Sequence, residues 1–352
     1  MNDQQFCELL DKAPNSLNIQ KYLIVTRRKL SEYRRIVVSY SGGSDSDIML
    51  DLIELVKPED CGEIKYIFFD TGLEWDATLR HLEETEQRYK ITIGRIKSKM
   101  SIPVACKKYG VPFIAKHPSE MIQRLQKHGF NWAPTLEDAA FEDGTECKSA
   151  GEGWFYDSYG DMFAIRRFRL LKEFLISNPP TFAISDKCCD YAKKHVSCDF
   201  DKEFKPDLRM NGMRRAEGGR RTGSIKNCFT PQDEKRSIAD YRPLWFWSDK
   251  EKQIYKEWRK IRYSDCYEKW GFIRTGCVGC PCSSRATQDL KIAEPYEQEK
   301  VKAAYAVFGK SYEYRERYNE FKLSYRGTGK AERGKTKSKK KPRLDLSMKA
   351  DP

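Results

Sequence analysis

Histidine is scarce in this sequence, and long apolar segments are missing. Only four histidines occur in 352 residues, and no two are spaced as metal ligands usually are, so a histidine-rich metal site is poorly supported. The apolar runs are far too short to cross a membrane. The first residues also lack the basic and apolar stretches of a secretory signal. We therefore expect a cytoplasmic protein with no membrane partner.

Charged residues, aromatic residues and cysteine are abundant. Aromatic residues make up 12% and charged residues 33% of the chain, which supports a sizeable core and excludes wholesale disorder. In a reducing compartment, twelve cysteines are better explained by metal-binding or catalytic thiols than by a disulfide framework. Any metal site should therefore consist mostly of sulfur ligands.

Most of the net charge lies near the C-terminal end. Residues 326–343 hold nine bases and one acid, so this segment contributes +8 of the total +13 and leaves +5 for the rest. The segment is rich in glycine, serine and threonine, and we predict a disordered basic tail over 326–352. Such a tail binds nucleic-acid phosphates without sequence specificity, so nucleic acid is a candidate partner. A solubilising tail is the alternative.

The apolar pattern predicts alternating strands and helices in the first part of the chain. Strand-like runs at 36–40, 64–69 and 89–96 are separated by two helical patterns. This spacing indicates a parallel sheet with right-handed crossovers. A helical segment is predicted before the sheet, over residues 1–33.

The later parts of the chain have other patterns. Residues 133–160 are predicted to form an insert, and its part 137–157 is rich in acids, as in a loop or flap. Residues 205–250 show short strands and loops. Helices are predicted over 286–325.

A turn rich in serine and glycine follows the first strand, in which Ser39 lies. The turn comprises Ser41, Gly42, Gly43, Ser44, Asp45 and Ser46. Glycines let the backbone approach an anion, and the N–H groups and dipole of the following helix favour phosphate. No lysine follows as in a Walker A loop. An ordinary turn with a helix N-cap is the alternative.

Four segments carry a resemblance to a known family. Ser41–Ser46 resembles the PP-loop of the adenine-nucleotide α-hydrolase superfamily. Phe69–Trp75 resembles the second-strand motif of the phosphoadenosine phosphosulfate (PAPS) reductase family. Asn211–Gly218 resembles that family's Gly-x-Arg segment, and Arg242–Trp247 resembles its Arg-Pro-Leu-x-x-Trp segment. The resemblance implies an α/β fold with a Rossmann-like parallel sheet of the α-hydrolase type over residues 34–285.

The resemblance also implies a site for an adenine nucleotide, either ATP or a sulfonucleotide such as adenylylsulfate or PAPS. The implied nucleotide contacts are Ser39, Ser41, Gly42, Gly43, Ser44, Asp45, Ser46, Asp70, Thr71, Gly72, Gly212 and Arg214. Asp45, a candidate partner of Mg²⁺, and Arg214, which would neutralise phosphate charge, are the implied catalytic residues. Thr71 and Glu74 also match a capping box that opens the next helix.

Two pairs of cysteines are candidates for a metal site. Cys188 and Cys189 are adjacent, and Cys277 and Cys280 form a Cys-x-x-Cys pair. Adjacent cysteines chelate one tetrahedral ion awkwardly, whereas in a [4Fe–4S] cluster each thiolate binds a different iron. The arrangement is similar to that of iron–sulfur adenylylsulfate reductases and the DNA phosphorothioation sulfurtransferase of the same family. That similarity implies an iron–sulfur segment over 186–285, and structural zinc is the alternative.

The reaction stays open at this point. Reductases of this family carry a nucleophilic cysteine in a C-terminal Glu-Cys-Gly-type motif, and nothing after Cys282, the last cysteine, resembles it. The first hypothesis is ATP activation with sulfur transfer, for which nucleic acid is a candidate acceptor and a separate protein a candidate sulfur or electron donor. The second is a sulfonucleotide reductase that uses an external thiol. The third is a non-catalytic accessory protein that binds nucleic acid.

Overall fold

The computed structural model describes residues 1–135, 138–142, 154, 168–218, 225–234 and 236–333. Most of the predicted insert at 133–160 and residues 334–352 of the predicted tail lie outside the described residues. The chain divides into two compact units. Residues 1–127 and 182–311 form the first, and the remaining described residues belong to the second.

A six-stranded sheet forms the centre of the first unit. Its strands are β1 (Arg35–Ser39), β2 (Glu63–Asp70), β3 (Ile93–Lys97), β4 (Leu208–Asn211), β5 (Phe229–Thr230) and β6 (Ala239–Tyr241). Their order across the sheet is β3-β2-β1-β4-β6-β5, and every neighbouring pair is parallel except β5 with β6. This arrangement confirms the predicted α/β fold with a Rossmann-like parallel sheet.

The helices before and around the first strands follow the apolar pattern. They are α1 (Asp3–Lys12), α2 (Leu17–Glu32), α3 (Ser44–Val56), α4 (Asp76–Tyr89), α5 (Ile102–Tyr109) and α6 (Lys116–Lys127). The predicted third strand begins at Ile93 instead of Tyr89. Tyr89 belongs to α4, and Lys90 ends that helix in a left-handed conformation with φ of 53°.

Seven α-helices of the described residues follow α6 along the chain. They are α7 (Arg169–Ser177), α8 (Lys187–Cys189), α9 (His195–Phe204), α10 (Asp249–Arg259), α11 (Asp265–Glu268), α12 (Ala286–Ala293) and α13 (Gln298–Arg333). A π-helical turn, Asp190–Lys194, joins α8 to α9. The predicted start of the tail at 326 is wrong, because α13 continues to Arg333. Once a helix exists, each further residue adds a hydrogen bond, so a long helix extends into a segment with little helix signal of its own.

The core of the first unit lies on both faces of the sheet. Ile36 and Val38 belong to the main apolar cluster, while Val37 between them packs with Ile67 and Phe204. Alternate residues of a strand point to opposite faces, so β1 is covered on both sides. A strand covered in this way places its last residue and the following turn at the edge of a rigid layer. Within the described residues, no helix is both long and apolar enough to span a membrane.

Aromatic contacts mark the second unit. The ring of Phe174 in α7 lies 4.9 Å from that of Tyr314 and 5.1 Å from that of Tyr318, measured between centroids. The indole nitrogen of Trp154 donates to the carbonyl oxygen of Ala133 at 2.8 Å.

Candidate nucleotide site and cysteine group

The turn Ser41–Ser46, called the PP-loop below after the family motif that it resembles, is held in shape by one serine hydroxyl. The Ser46 Oγ accepts a hydrogen bond from the Gly43 N–H at 3.0 Å and donates to the Gly43 carbonyl at 2.7 Å. The Ser41 hydroxyl donates a hydrogen bond to Ser46 Oγ at 3.1 Å. Gly42 has φ of 65°, and a Cβ added there would lie 2.8 Å from Thr78 Cγ2. The turn therefore needs glycine at 42 and presents the first N–H groups of α3 at the carboxyl end of β1.

The two predicted catalytic residues contact each other. Arg214 Nε donates to Asp45 Oδ1 at 2.9 Å, although the residues are 169 positions apart. Lys252 Nζ lies 2.6 Å from the same carboxylate oxygen. Burial would raise the pKa of Asp45, but a hydrogen bond with Glu217 and the charges of Lys252 and Arg214 lower it. Arg214 also donates to Asp249 Oδ1 at 2.8 Å, so its guanidinium lies between two carboxylates.

Gly212 was predicted from the sequence as a nucleotide contact, whereas Lys252 was not. Lys252 Nζ donates to Ser44 Oγ at 2.6 Å, a contact across 208 positions. Its only sequence signal was its place shortly after the Arg242–Trp247 segment. A Cβ at Gly212, the predicted nucleotide contact after β4, would lie 2.9 Å from the Asp45 carbonyl oxygen. Gly212, directly after β4, and Lys252, in the first half of α10, thus both pack against the PP-loop.

The second-strand motif lies at the end of β2, beside the PP-loop strand. Asp70 Oδ1 accepts a hydrogen bond from the Gly72 N–H at 2.9 Å. Thr71 is fully buried and donates to Glu74 Oε1 at 2.6 Å. The capping-box alternative is wrong, because α4 begins later and Glu297 accepts hydrogen bonds from the N–H groups of its residues Asp76 and Ala77, at 2.8 and 2.7 Å.

The Cys-x-x-Cys segment docks on this end of β2. Cys277 Sγ lies 3.7 Å from Thr71 Oγ1, and the Val278 N–H donates to the Leu73 carbonyl at 2.9 Å. Burial raises the pKa of Cys277 to about 12, while Lys193 opposes that rise. The charges of Cys277 and Glu74 raise the pKa of Lys193 despite burial. Lys193, which sequence analysis missed, therefore belongs to this group.

The predicted cysteine ligands lie in one region of the first unit, together with two further cysteines. A hydrogen bond with Cys106 raises the pKa of Cys188, and one with Cys188 raises that of Cys189. A hydrogen bond with Cys282 lowers the pKa of Cys280, whereas the charge of Cys189 raises it. All described cysteines have free thiols.

The positions of these sulfur atoms do not form a closed metal site. Among the described residues, no group of three or more His, Cys, Asp or Glu side chains is arranged to hold a metal ion. The chemistry of the donor set suits iron–sulfur ligation, since thiolates are the usual ligands of such clusters. The structure thus brings the four predicted ligands near each other without preassembling them.

The parallel sheet and the serine- and glycine-rich turn that follows β1 define a Rossmann-like fold. Residues 35–128 match the family model of the phosphoadenosine phosphosulfate reductase domain. This part of the chain is therefore similar to a PAPS reductase domain. Known members of that family are enzymes.

The chain is also similar to individual proteins. A segment of 77 residues is 36% identical to the uncharacterized protein MJ0066 of Methanocaldococcus jannaschii; it covers 22% of this chain and 15% of that relative. PAPS reductase from Candida auris, in a phosphate complex, is 15% identical with a TM-score of 0.42, over 79% of this chain and 96% of that one.

Two further solved structures are similar. FMN adenylyltransferase of Candida glabrata with FAD and inorganic pyrophosphate is 13% identical with a TM-score of 0.40, over 78% of this chain and 69% of that one. The U34-tRNA thiolase NcsA of Methanococcus maripaludis, with its [4Fe-4S] cluster, is 14% identical with a TM-score of 0.33, over 86% of this chain and 80% of that one. Similarities at this level carry no information on substrate or cofactor.

Proposed function

We propose that this protein binds an adenine nucleotide at Ser41–Ser46 and uses it for activation and sulfur transfer. One observation carries the proposal: the segment Thr275–Cys280 contacts the end of β2 directly and the PP-loop through Tyr267. The Tyr267 hydroxyl accepts a hydrogen bond from the Thr275 N–H at 3.0 Å and is also hydrogen-bonded with Ser44 of the loop. Cys277, two residues after Thr275, has its Sγ 3.7 Å from Thr71 Oγ1. The cysteine group therefore lies beside the proposed nucleotide site.

The residues of the loop have separate tasks in this proposal. The N–H groups at the start of α3 and the hydroxyls of Ser41 and Ser44 would hold pyrophosphate. An acceptor oxygen attacks the α-phosphorus of ATP, and pyrophosphate leaves with the bonding electrons. A sulfur nucleophile then displaces AMP. Arg214 neutralises the charge that develops on the phosphates, and Asp45 orients Arg214 or binds Mg²⁺.

The proposal includes a [4Fe–4S] cluster held by Cys188, Cys189, Cys277 and Cys280. When bound, such a cluster would supply iron that can bind a sulfur ligand. The charge of Lys193 supports thiolate ligands there, because it lowers the pKa of Cys277 against the effect of burial, and a hydrogen bond with Cys282 lowers the pKa of Cys280. The proposal also includes a protein that donates sulfur or electrons and an acceptor of the sulfur, for which nucleic acid is the candidate.

Anaerobic purification with metal analysis tests the cluster. We expect about four irons and four sulfides per chain. Cys277→Ser and Cys280→Ser should each lower the iron content at least about two-fold, whereas Cys198→Ser, at an exposed cysteine, should leave it unchanged. Wild-type protein that lacks iron and sulfide under these conditions would contradict the cluster.

Parallel assays of ATP, adenylylsulfate and PAPS identify the reaction in the same preparation. Pyrophosphate release from ATP with a candidate acceptor supports activation. Sulfite release from adenylylsulfate or PAPS with an added thiol decides for the reductase instead. Binding of none of the three nucleotides contradicts the proposal and favours an accessory role.

A further inference from the structure

A lysine from a distant helix supplies a cation that the PP-loop lacks in its own sequence. Ser41–Ser46 contains no lysine or arginine. Lys252 of α10 places its Nζ 2.6 Å from both Ser44 Oγ and Asp45 Oδ1. The Lys252 side chain is 17% exposed, so it is largely buried but still reaches solvent beside the loop.

The helix that carries Lys252 is fixed to the helix that follows the PP-loop. Tyr255 Oη and Arg259 Nε of α10 each donate to Asp51 Oδ2 of α3 at 2.9 Å, and Asp51 is fully buried. The first turn of α10 is closed by a capping box between Ser248 and Glu251. Because α10 cannot shift without breaking these contacts, the Lys252 ammonium has a defined position against the loop.

Two cations lie against the loop, and their buried counter-charge is small. Arg214 and Lys252 both contact the largely buried carboxylate of Asp45, whereas Glu217, which hydrogen-bonds with Asp45, is exposed. Asp249, the second partner of Arg214, is 85% exposed, so water screens its charge. The N-terminus of α3 adds a partial positive charge at the same point. This surplus suits an anion with more than one negative charge.

We propose that Lys252 is a phosphate-binding residue of the PP-loop and that Asp45 positions it. The ammonium would bridge Ser44 and Asp45 to a phosphate of a nucleoside polyphosphate, or to free pyrophosphate. This inference rests on the proposed nucleotide site and adds its phosphate-binding cation. It also gives Asp45 a role that needs no direct contact with metal.

Calorimetric titration with ATP, inorganic pyrophosphate and adenosine tests the inference. Lys252→Gln should weaken binding of ATP and pyrophosphate about 10-fold or more, because a hydrogen bond to a charged group is lost. Binding of adenosine, which has no phosphate, should stay unchanged. Lys252→Arg keeps the charge and should recover part of the affinity. Lys250→Gln, the same change at an exposed position of α10, should stay within about two-fold of wild type.

The outcomes separate this inference from the proposed function. If wild type binds ATP and pyrophosphate and Lys252→Gln binds them equally well, the inference is wrong while the nucleotide site stands. If wild type binds neither, both are wrong. A loss of adenosine binding in Lys252→Gln, together with a lower midpoint of thermal unfolding than in Lys250→Gln, would show a structural role and also overturn the inference.

Discussion

At the scale of single residues, a buried polar group lies behind the PP-loop. Asp47 in the first turn of α3 accepts a hydrogen bond from Tyr40 and lies 3.0 Å from His81 Nε2. The other ring nitrogen of His81 lies 3.8 Å from Glu84. Burial would lower the pKa of His81, but the charge and hydrogen bond of Asp47, and then Glu84, raise it overall. The buried carboxylate of Asp47 thus favours the charged form of the His81 imidazole beside the start of α3.

This pKa shift predicts a pH dependence of stability. The folded state binds the His81 proton more tightly than the unfolded state, whose pKa is about 6.5. The stabilisation is therefore complete below pH 6.5 and is lost as the pH rises through the raised pKa of the folded state. Urea unfolding between pH 5.5 and about 8.5 should show a decline in unfolding free energy that is smaller in His81→Gln. His195→Gln, at an exposed histidine, should keep the wild-type decline; an unchanged decline in His81→Gln would refute the assignment.

At the scale of elements, the turn from β1 to α3 depends on a close approach to α4. Gly42 adopts φ of 65°, and a Cβ there would lie 2.8 Å from Thr78 Cγ2 of α4. Two costs therefore coincide at this position, backbone strain and crowding. Gly271 has nearly the same φ, 67°, but nothing lies within 4 Å of its Cβ position. The chain thus offers a matched pair of glycines.

Gly42→Ala should destabilise the protein more than Gly271→Ala. In both variants, an alanine in the left-handed conformation lowers the unfolding free energy by about 1 kcal/mol. In Gly42→Ala, overpacking against Thr78 lowers it by about a further 1–3 kcal/mol. Urea denaturation measures the difference in unfolding free energy. Nucleotide affinity should fall only in Gly42→Ala, because only that change alters the loop. Equal losses of stability in the two variants would mean that Thr78 yields without cost.

At the scale of the whole molecule, the sequence predicts local patterns well and distant contacts poorly. The parallel sheet follows from apolar periodicity, and the turn before α3 follows from its glycines and serines, both of which are local patterns. Lys252 and Glu297 could not be predicted in the same way, because each acts on an element more than 200 positions away. Thr71 and Glu74 matched a capping box locally, but tertiary contact with Glu297 determines how α4 begins.

The basic segment beyond α13 predicts nucleic-acid binding by charge. Residues 334–343 contain six bases, namely Lys335, Lys337, Lys339, Lys340, Lys341 and Arg343. A chain that lacks residues 334–343 should bind DNA or RNA more weakly than the full chain. Its slope of log affinity against log salt on duplex DNA should be lower by up to about 5, since each phosphate contact contributes about 0.9. Filter-binding titrations at several salt concentrations measure both values.

A full-length control separates charge from length in this test. Replacement of the six bases by serine keeps the length and should reproduce the shortened chain. Equal affinity and slope in all three proteins would rule out the tail as a nucleic-acid contact.

The long separation between the PP-loop and Lys252 also affects the order in which the protein is made. Ser44 precedes Lys252 by 208 positions, so at about 5–20 residues per second the lysine is synthesised roughly 10–40 seconds after the loop. Strand β4, the second neighbour of β1, also follows late, because Asp207 lies 173 positions after Arg34. The loop is therefore among the first parts of the site to leave the ribosome and among the last to be completed.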